Sequence, residues 1–187
     1  MLKAFLKRRL RAFGASFGYD AGYLVDMVDA DAQAGFALAG LSKAAGYKAD
    51  APKPAWFAAK IVAAMSEDCG PCTQLAVDMA ARAGVAPEDL RAIVAGDVAQ
   101  MSAEAALGYR FARAVLAGEG DLEALRTEIL RRWGRAALGA IALGCVSGRT
   151  FPRLRRALGH HDSCHAVEVG GITIAPNSSG AGRVAHA

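Results

Sequence analysis

Apolar residues recur at three- and four-residue intervals along most of this chain, and glycines and prolines cut that rhythm into helix-sized lengths. Such a pattern admits a bundle of short helices and little else. Leu2, Leu6, Leu10, Phe13 and Phe17 form one stripe over residues 1–17, with Lys3, Lys7, Arg8 and Arg11 mostly off it. The stretch is predicted to be a basic amphipathic arm that packs on its own or a neighbouring subunit. Helical periodicity continues over 20–45, and the two prolines of "YKADAPKPA" make 47–54 a connection before "WFAAKIVAAM" resumes the pattern. A further helix should open at Asp68 to Gly70 and stop at Gly84, followed by a short one opened by Pro87 and ending near 95. The next is expected to end at Gly118. Asp121 is placed to cap "LEALRTEILRRW", and 136–148 follows with Ala136, Ala140, Gly144 and Gly148 as a ridge of small residues.

Alternation appears only in "AVEVGGITIAP", which is expected to form one short β segment, and "NSSGAGRVAHA" reads as a disordered tail. The fold class is therefore all-α, with 1–175 a single helical domain that includes the arm 1–17, and 176–187 the tail. Composition agrees: the 53% hydrophobic share is weighted to alanine and glycine, which suits helices packed closely through small side chains.

Several function classes are excluded on the same residues. A net charge of +4 without a concentrated patch does not imply nucleic acid. There is no βαβ rhythm, no Gly-rich phosphate loop with its lysine, and no G-x-S-x-G elbow, so nucleotide and serine-hydrolase readings have no support and no cofactor is called for. The longest apolar run, 136–148, is shorter than the roughly 20 residues that cross a bilayer, so no transmembrane segment is expected. Four cysteines are too sparse for a secreted disulfide framework, and the N-terminal stretch has no unbroken hydrophobic core. A reducing cytoplasm is the expected location.

In that setting Cys69-Gly70-Pro71-Cys72 stands out. Three chemistries fit: a working dithiol, half of a metal site, or two small hydrophobes. Cysteines three apart at a helix start lie on nearly one face, close enough to bridge after modest rotation. The first turn also offers free N–H groups and the positive end of the helix dipole, which favour a thiolate. Glu67 and Asp68 act against this as negative charges unless one of them carries protons. The cysteine face continues through Ala76, Met79 or Ala80, and Ala83, with Gln74, Asp78 and Arg82 opposite, so both sulfurs should face inward. Redox use is the preferred reading. His160, His161, Cys164 and His165 supply the donors that a zinc site would combine with the CxxC, but without zinc-finger spacing no metal is assigned; they are expected at the surface after the last helix, with one histidine a candidate partner for the dithiol. Cys145 is expected to pack as a small apolar side chain. Arg149, Arg153, Arg155 and Arg156 are expected to form a solvated face or a subunit contact.

The Gly-Pro between the cysteines is also found in thioredoxins, but those place the motif after a central strand, and here helices flank it. The helix "PAWFAAKIVAAM", the acidic turn "SED", "CGPC" opening "TQLAVDMAARAG", and "VAPEDLRAIVAGD" together resemble the carboxymuconolactone decarboxylase and alkylhydroperoxidase D-like superfamily over about residues 50–150. That resemblance implies an alkylhydroperoxidase D-like helical bundle, a homo-oligomer built as a trimer or hexamer, and reduction of a peroxide or disulfide substrate by Cys69 and Cys72 with an external thiol reductant. It does not transfer the proton relay. Ala76 stands where redox members have a histidine four residues after the second cysteine, and Phe57 where they have a glutamate twelve before the first. Glu67, Asp68 or a residue from elsewhere must then shuttle protons, or the pair is a thiol–disulfide exchanger. The alternative is a non-catalytic helical oligomer or redox sensor on the same scaffold.

Overall fold

The computed structural model describes residues 1–163 and 166–177. Its helices are α1 (Leu2–Phe17), α2 (Gly22–Ala30), α3 (Ala32–Ala45), α4 (Lys53–Met65), α5 (Gly70–Arg82), α6 (Pro87–Ala95), α7 (Ala103–Ala117) and α8 (Leu122–Ala157), followed by strands β1 (Val167–Val169) and β2 (Ile172–Ile174). The chain is mainly helical, as its periodicity requires. No described helix is long and apolar enough to cross a membrane.

α4 is the central element and packs on α5, α6, α7 and α8. Every residue from Ala55 to Met65 is buried, because apart from Lys60 the helix carries apolar or small side chains on all sides. Close approach comes from glycines on its neighbours. A Cβ on Gly108 of α7 would lie 2.6 Å from Ala55 Cα, and one on Gly148 of α8 would lie 2.7 Å from the Lys60 carbonyl oxygen. The buried small residues of α8 are Ala137, Ala140 and Gly144; Ala136, expected on that ridge, is exposed.

Three differences from the expected layout have physical causes. The periodic stretch 20–45 is two helices, because the Asp31 side chain accepts from Gln33 N–H and starts α3 afresh. The helical run expected over 136–148 continues to Ala157, since Arg149, Arg153 and Arg156 fall on one side of it and meet a common acceptor. The single β segment is a hairpin: Val167 faces Ile174 and Val169 faces Ile172, with Gly170 and Gly171 both at positive φ in the two-residue turn.

The arm α1 folds onto its own chain. Leu6 packs on Gly35 of α3, Lys7 pairs with Asp29, and Arg82 of α5 reaches the Ser16 carbonyl while its guanidinium covers the Phe17 ring at 3.8 Å. At the other end, Asn177 N–H donates to the Val94 carbonyl at 2.9 Å, so the chain from Pro176 to Asn177, read as the start of a tail, is tied to α6. The remainder of that tail, 178–187, lies outside the described residues, as do Cys164 and His165.

Candidate functional site

Two cores divide the interior. The larger joins α4, α6, α7 and α8, and the smaller gathers Tyr19, Tyr23, Leu24, Val28 and Leu38 of the N-terminal segment around Cys69 and Cys72. The cysteine pair therefore sits where side chains of the N-terminal segment pack against the start of α5.

The chain reverses between α4 and α5 through Ser66, Glu67 and Asp68, whose N–H groups donate back to Val62, Ala64 and Met65, with Asp68 at φ 51°. Cys69 is then the N-cap of α5, in extended conformation, and Gly70 and Pro71 form the first turn. Pro71 lacks an N–H and Gly70 N–H donates to the Asp162 carbonyl at 3.1 Å. Thr73 is fully buried and returns both its N–H and its hydroxyl to the Cys69 carbonyl at 2.9 Å. These bonds fix the turn so that the two Cα atoms are 5.3 Å apart and the sulfurs lie at disulfide distance.

The two sulfurs differ in surroundings. Cys69 is fully buried, whereas Cys72 is 6% exposed and forms part of the wall of a cavity of about 290 Å³. Leu10, Phe13, Leu24, Phe57, Leu75, Met79 and Phe151 make that cavity mostly apolar, and Ala76 lies beside Cys72 as the helical face predicts. Phe57 and Ala76, the two positions where the resemblance lacks its relay, are both in this wall. Gln74 and Asp78 are on the opposite side of α5. There Gln74 pairs with the backbone of Glu168 through both its amide groups, at 2.9 and 2.8 Å, and so holds the hairpin.

Polar groups reach the cavity from three directions. The Tyr19 hydroxyl lies 3.8 Å from Cys72 Sγ and 3.0 Å from the Tyr23 hydroxyl. Both phenols are buried, and burial, reinforced by Tyr19, pushes Tyr23 well above the ordinary tyrosine pKa. Lys60 enters from α4, donating to the Ala45 carbonyl at 2.8 Å with its ammonium 4.3 Å from the Trp56 ring centre, and burial lowers its pKa to about 8. Ser42 and Ser147 complete the polar lining.

Glu67 is buried but does not stand free beside the sulfurs. Arg149 and Arg153 donate to its carboxylate, the latter at 2.9 Å, while Arg156 donates to its backbone carbonyl at 2.8 Å. Of the arginine run, expected as a solvated face or subunit contact, Arg153 and Arg156 are exposed, and with Arg149 they also clamp the turn that precedes the dithiol. Arg155 faces the other way and is 3% exposed, between Asp162 at 2.9 Å and Asp20 at 3.6 Å. His160 packs against the Tyr23 ring, with ring centres 6.1 Å apart, and His161 Nε2 is 3.5 Å from Arg156. Neither histidine takes the place beside the sulfurs that Tyr19 holds. Among the described residues no three histidine, cysteine or acidic side chains gather to hold a metal ion. Cys145 is fully buried in the larger core and its thiol is pushed up to about 12 by burial.

Tyr19, Tyr23 and Lys60 were not singled out in the sequence. Two tyrosines four apart after Gly18 and a lone lysine inside "WFAAKIVAAM" were the available signals. No protein-family model, curated protein or solved structure matches the chain.

Proposed function

We propose that this chain is a thiol-dependent redox protein in which Cys69 and Cys72 cycle between dithiol and disulfide as they reduce a peroxide or a disulfide. The observation that carries this reading is the pair at disulfide distance at the start of α5, with one sulfur on a cavity wall and the other behind it. Cys72 is then the sulfur that meets the substrate. Its thiolate attacks one sulfur of a disulfide, expelling the other as a thiol once protonated. Cys69 next attacks Cys72, closing the bridge and releasing the second thiol. With a peroxide, Cys72 takes the terminal oxygen as a sulfenic acid, the alcohol leaves, and condensation with Cys69 releases water. An external dithiol returns the two electrons, and a reducing compartment such as the cytoplasm is part of the proposal.

The superfamily resemblance belongs to the same proposal. It is supported by a CxxC opening a helix in a mainly helical chain, and by Phe57 and Ala76 lining the cavity that Cys72 lines. A trimer or hexamer would cover the exposed apolar side chains Phe36, Leu41, Leu143 and Val146. Proton transfer by Glu67 or Asp68 is also part of it, and is read from Glu67→Gln and Asp68→Asn.

The test is turnover of hydrogen peroxide, cumene hydroperoxide and an aromatic disulfide with dithiothreitol as reductant. Cys72→Ser should abolish turnover. With dithiothreitol left out, pre-reduced Cys69→Ser should react once, leaving on Cys72 a mixed disulfide from the aromatic disulfide or a sulfenic acid from a peroxide, each detected by mass. Turnover surviving both changes sinks the proposal. A second reading, a non-catalytic oligomer or redox sensor, is favoured by the apolar side chains at Phe57 and Ala76; it predicts reversible bridge formation without turnover of any of these substrates.

A further inference from the structure

Tyr19 is not part of α5 or of the helix before it. It stands in the turn between α1 and α2, and the folding of the N-terminal segment over α5 brings its hydroxyl to Cys72 Sγ. A sulfur in a disulfide carries no hydrogen, so across the 3.8 Å contact the Tyr19 O–H is the donor. Tyr19 has one hydroxyl hydrogen. With that hydrogen directed at sulfur, the 3.0 Å contact between the phenols is a hydrogen bond from Tyr23 O–H to Tyr19 oxygen. The two phenols thus form a chain of donors that ends on Cys72.

The chain is held by one guanidinium. Arg155 lies 5.7 Å from the Tyr19 ring centre and 5.6 Å from that of Tyr23. It donates to the Asp20 carbonyl, next to Tyr19, at 2.9 Å, and to the Asp162 carboxylate at 2.9 Å. Asp162 in turn accepts Gly70 N–H, between the two cysteines, through its backbone carbonyl. Arg155 therefore ties the turn that carries the phenol to the turn that carries the dithiol.

From this arrangement we infer that Tyr19 is a catalytic hydrogen-bond donor to the Cys72 thiolate, with Tyr23 and Arg155 as positioning residues behind it. The inference rests on the redox reading given above and gives Cys72 a polar partner in a wall where Phe57 and Ala76 offer none. When the bridge is reduced, two electrons enter the S–S bond, Cys72 gains a hydrogen or a negative charge, and the Tyr19 O–H stabilises the charged form. When Cys72 attacks a disulfide, the new S–S bond forms from the thiolate pair, the expelled thiolate is protonated by water directly or by way of Glu67 or Asp68, and Tyr19 keeps its own proton. The other groups around the phenols are Asp20, Asp162 and His160 by way of Arg155 and Tyr23, and Lys60 across the cavity; α1 contributes only the apolar Leu10 and Phe13. None of these changes in a Tyr→Phe substitution.

The experiment uses the reduced full-length chain carrying Cys69→Ser, so that Cys72 titrates alone, and follows iodoacetamide alkylation of the Cys72 peptide by mass against pH. Adding Tyr19→Phe should move the midpoint up by about one pH unit, cutting the rate roughly tenfold below the midpoint, and Tyr23→Phe should move it the same way by less. Superimposable curves for Tyr19→Phe and its parent overturn the inference, as does an equal shift in Leu75→Ala, which loosens the cavity without touching a donor. Should Tyr19→Phe not fold, Tyr23→Phe decides, and an unmoved midpoint there overturns it. Loss of the redox reading looks different: wild-type turnover is then absent while the Tyr19 shift persists.

Discussion

Lys60 shows how much one side chain can set when helices close around it. It is the one charged residue between Ala55 and Met65, where all positions are buried, and it caps the end of α3 through the Ala45 carbonyl. Burial lowers its pKa from 10.5 to about 8. Between those values the unfolded chain holds a proton that the folded chain has released, so stability rises with pH across that window. Tyr23 acts in the opposite sense above pH 10, because its phenol keeps its proton longer in the folded state, and this bounds the rise from above. Urea unfolding at pH 7 and pH 9.5 should show wild type gaining on Lys60→Met by about 1–3 kcal/mol over that interval. A difference between the two proteins that does not change with pH contradicts the assignment. The arginines teach the converse lesson. Their partners are Glu67, 82 and 86 residues away for Arg149 and Arg153, and Asp20, 135 residues from Arg155. No local pattern carries pairings at that separation, so the run shows its solvated face, which Arg153 and Arg156 have, and not its partners.

Elements with a chemical start or stop were legible. Gly96 and Gly118 end α6 and α7 at positive φ, and Asp121 accepts Ala124 N–H at the start of α8, all from signals three or four residues long. The cysteine pair was legible for the same reason, since spacing and a helix start define it. Tyr19 was not, because its contact with Cys72, 53 residues away, depends on the N-terminal segment packing against the start of α5. Two glycines separate the kinds of constraint that act at this scale. At Gly134, inside α8, φ is 78° and ψ is −179°, and a Cβ there would meet nothing within 4 Å. Its cost when replaced is backbone strain alone, so Gly134→Ala should lose about 1–3 kcal/mol. Gly108 has ordinary helical geometry, but its Cβ would press into the backbone of Ala55, and neither helix can retreat without opening the larger core. Gly108→Ala should lose about 3 kcal/mol or more, or fail to fold. Denaturant midpoints rank the two, and a Gly108→Ala protein milder than Gly134→Ala would show that α4 and α7 can separate cheaply.

For the whole molecule the question is whether both redox forms are the same fold, as a cycling dithiol requires. The bridge spans a sequence separation of 3, so it removes little freedom from the unfolded chain. Loop-closure reasoning gives about 2 kcal/mol for so short a ring, against a total stability of roughly 5–15 kcal/mol for a domain. The turn that presents the cysteines is also fixed without it. Thr73 holds the Cys69 carbonyl, Asp162 holds Gly70, and Arg149, Arg153 and Arg156 hold Glu67, none of which involves sulfur. Reduction should therefore leave the helical circular-dichroism spectrum unchanged and lower Tm by only about 4–8 °C. The shift should be largest in hydrogen exchange of Gly70 to Thr73 and of the Tyr19 turn, the segments that meet at the sulfurs, and small in α4 and α7. Collapse of the helical signal on reduction would make the bridge a structural staple, and a staple that unfolds the protein when opened cannot turn over.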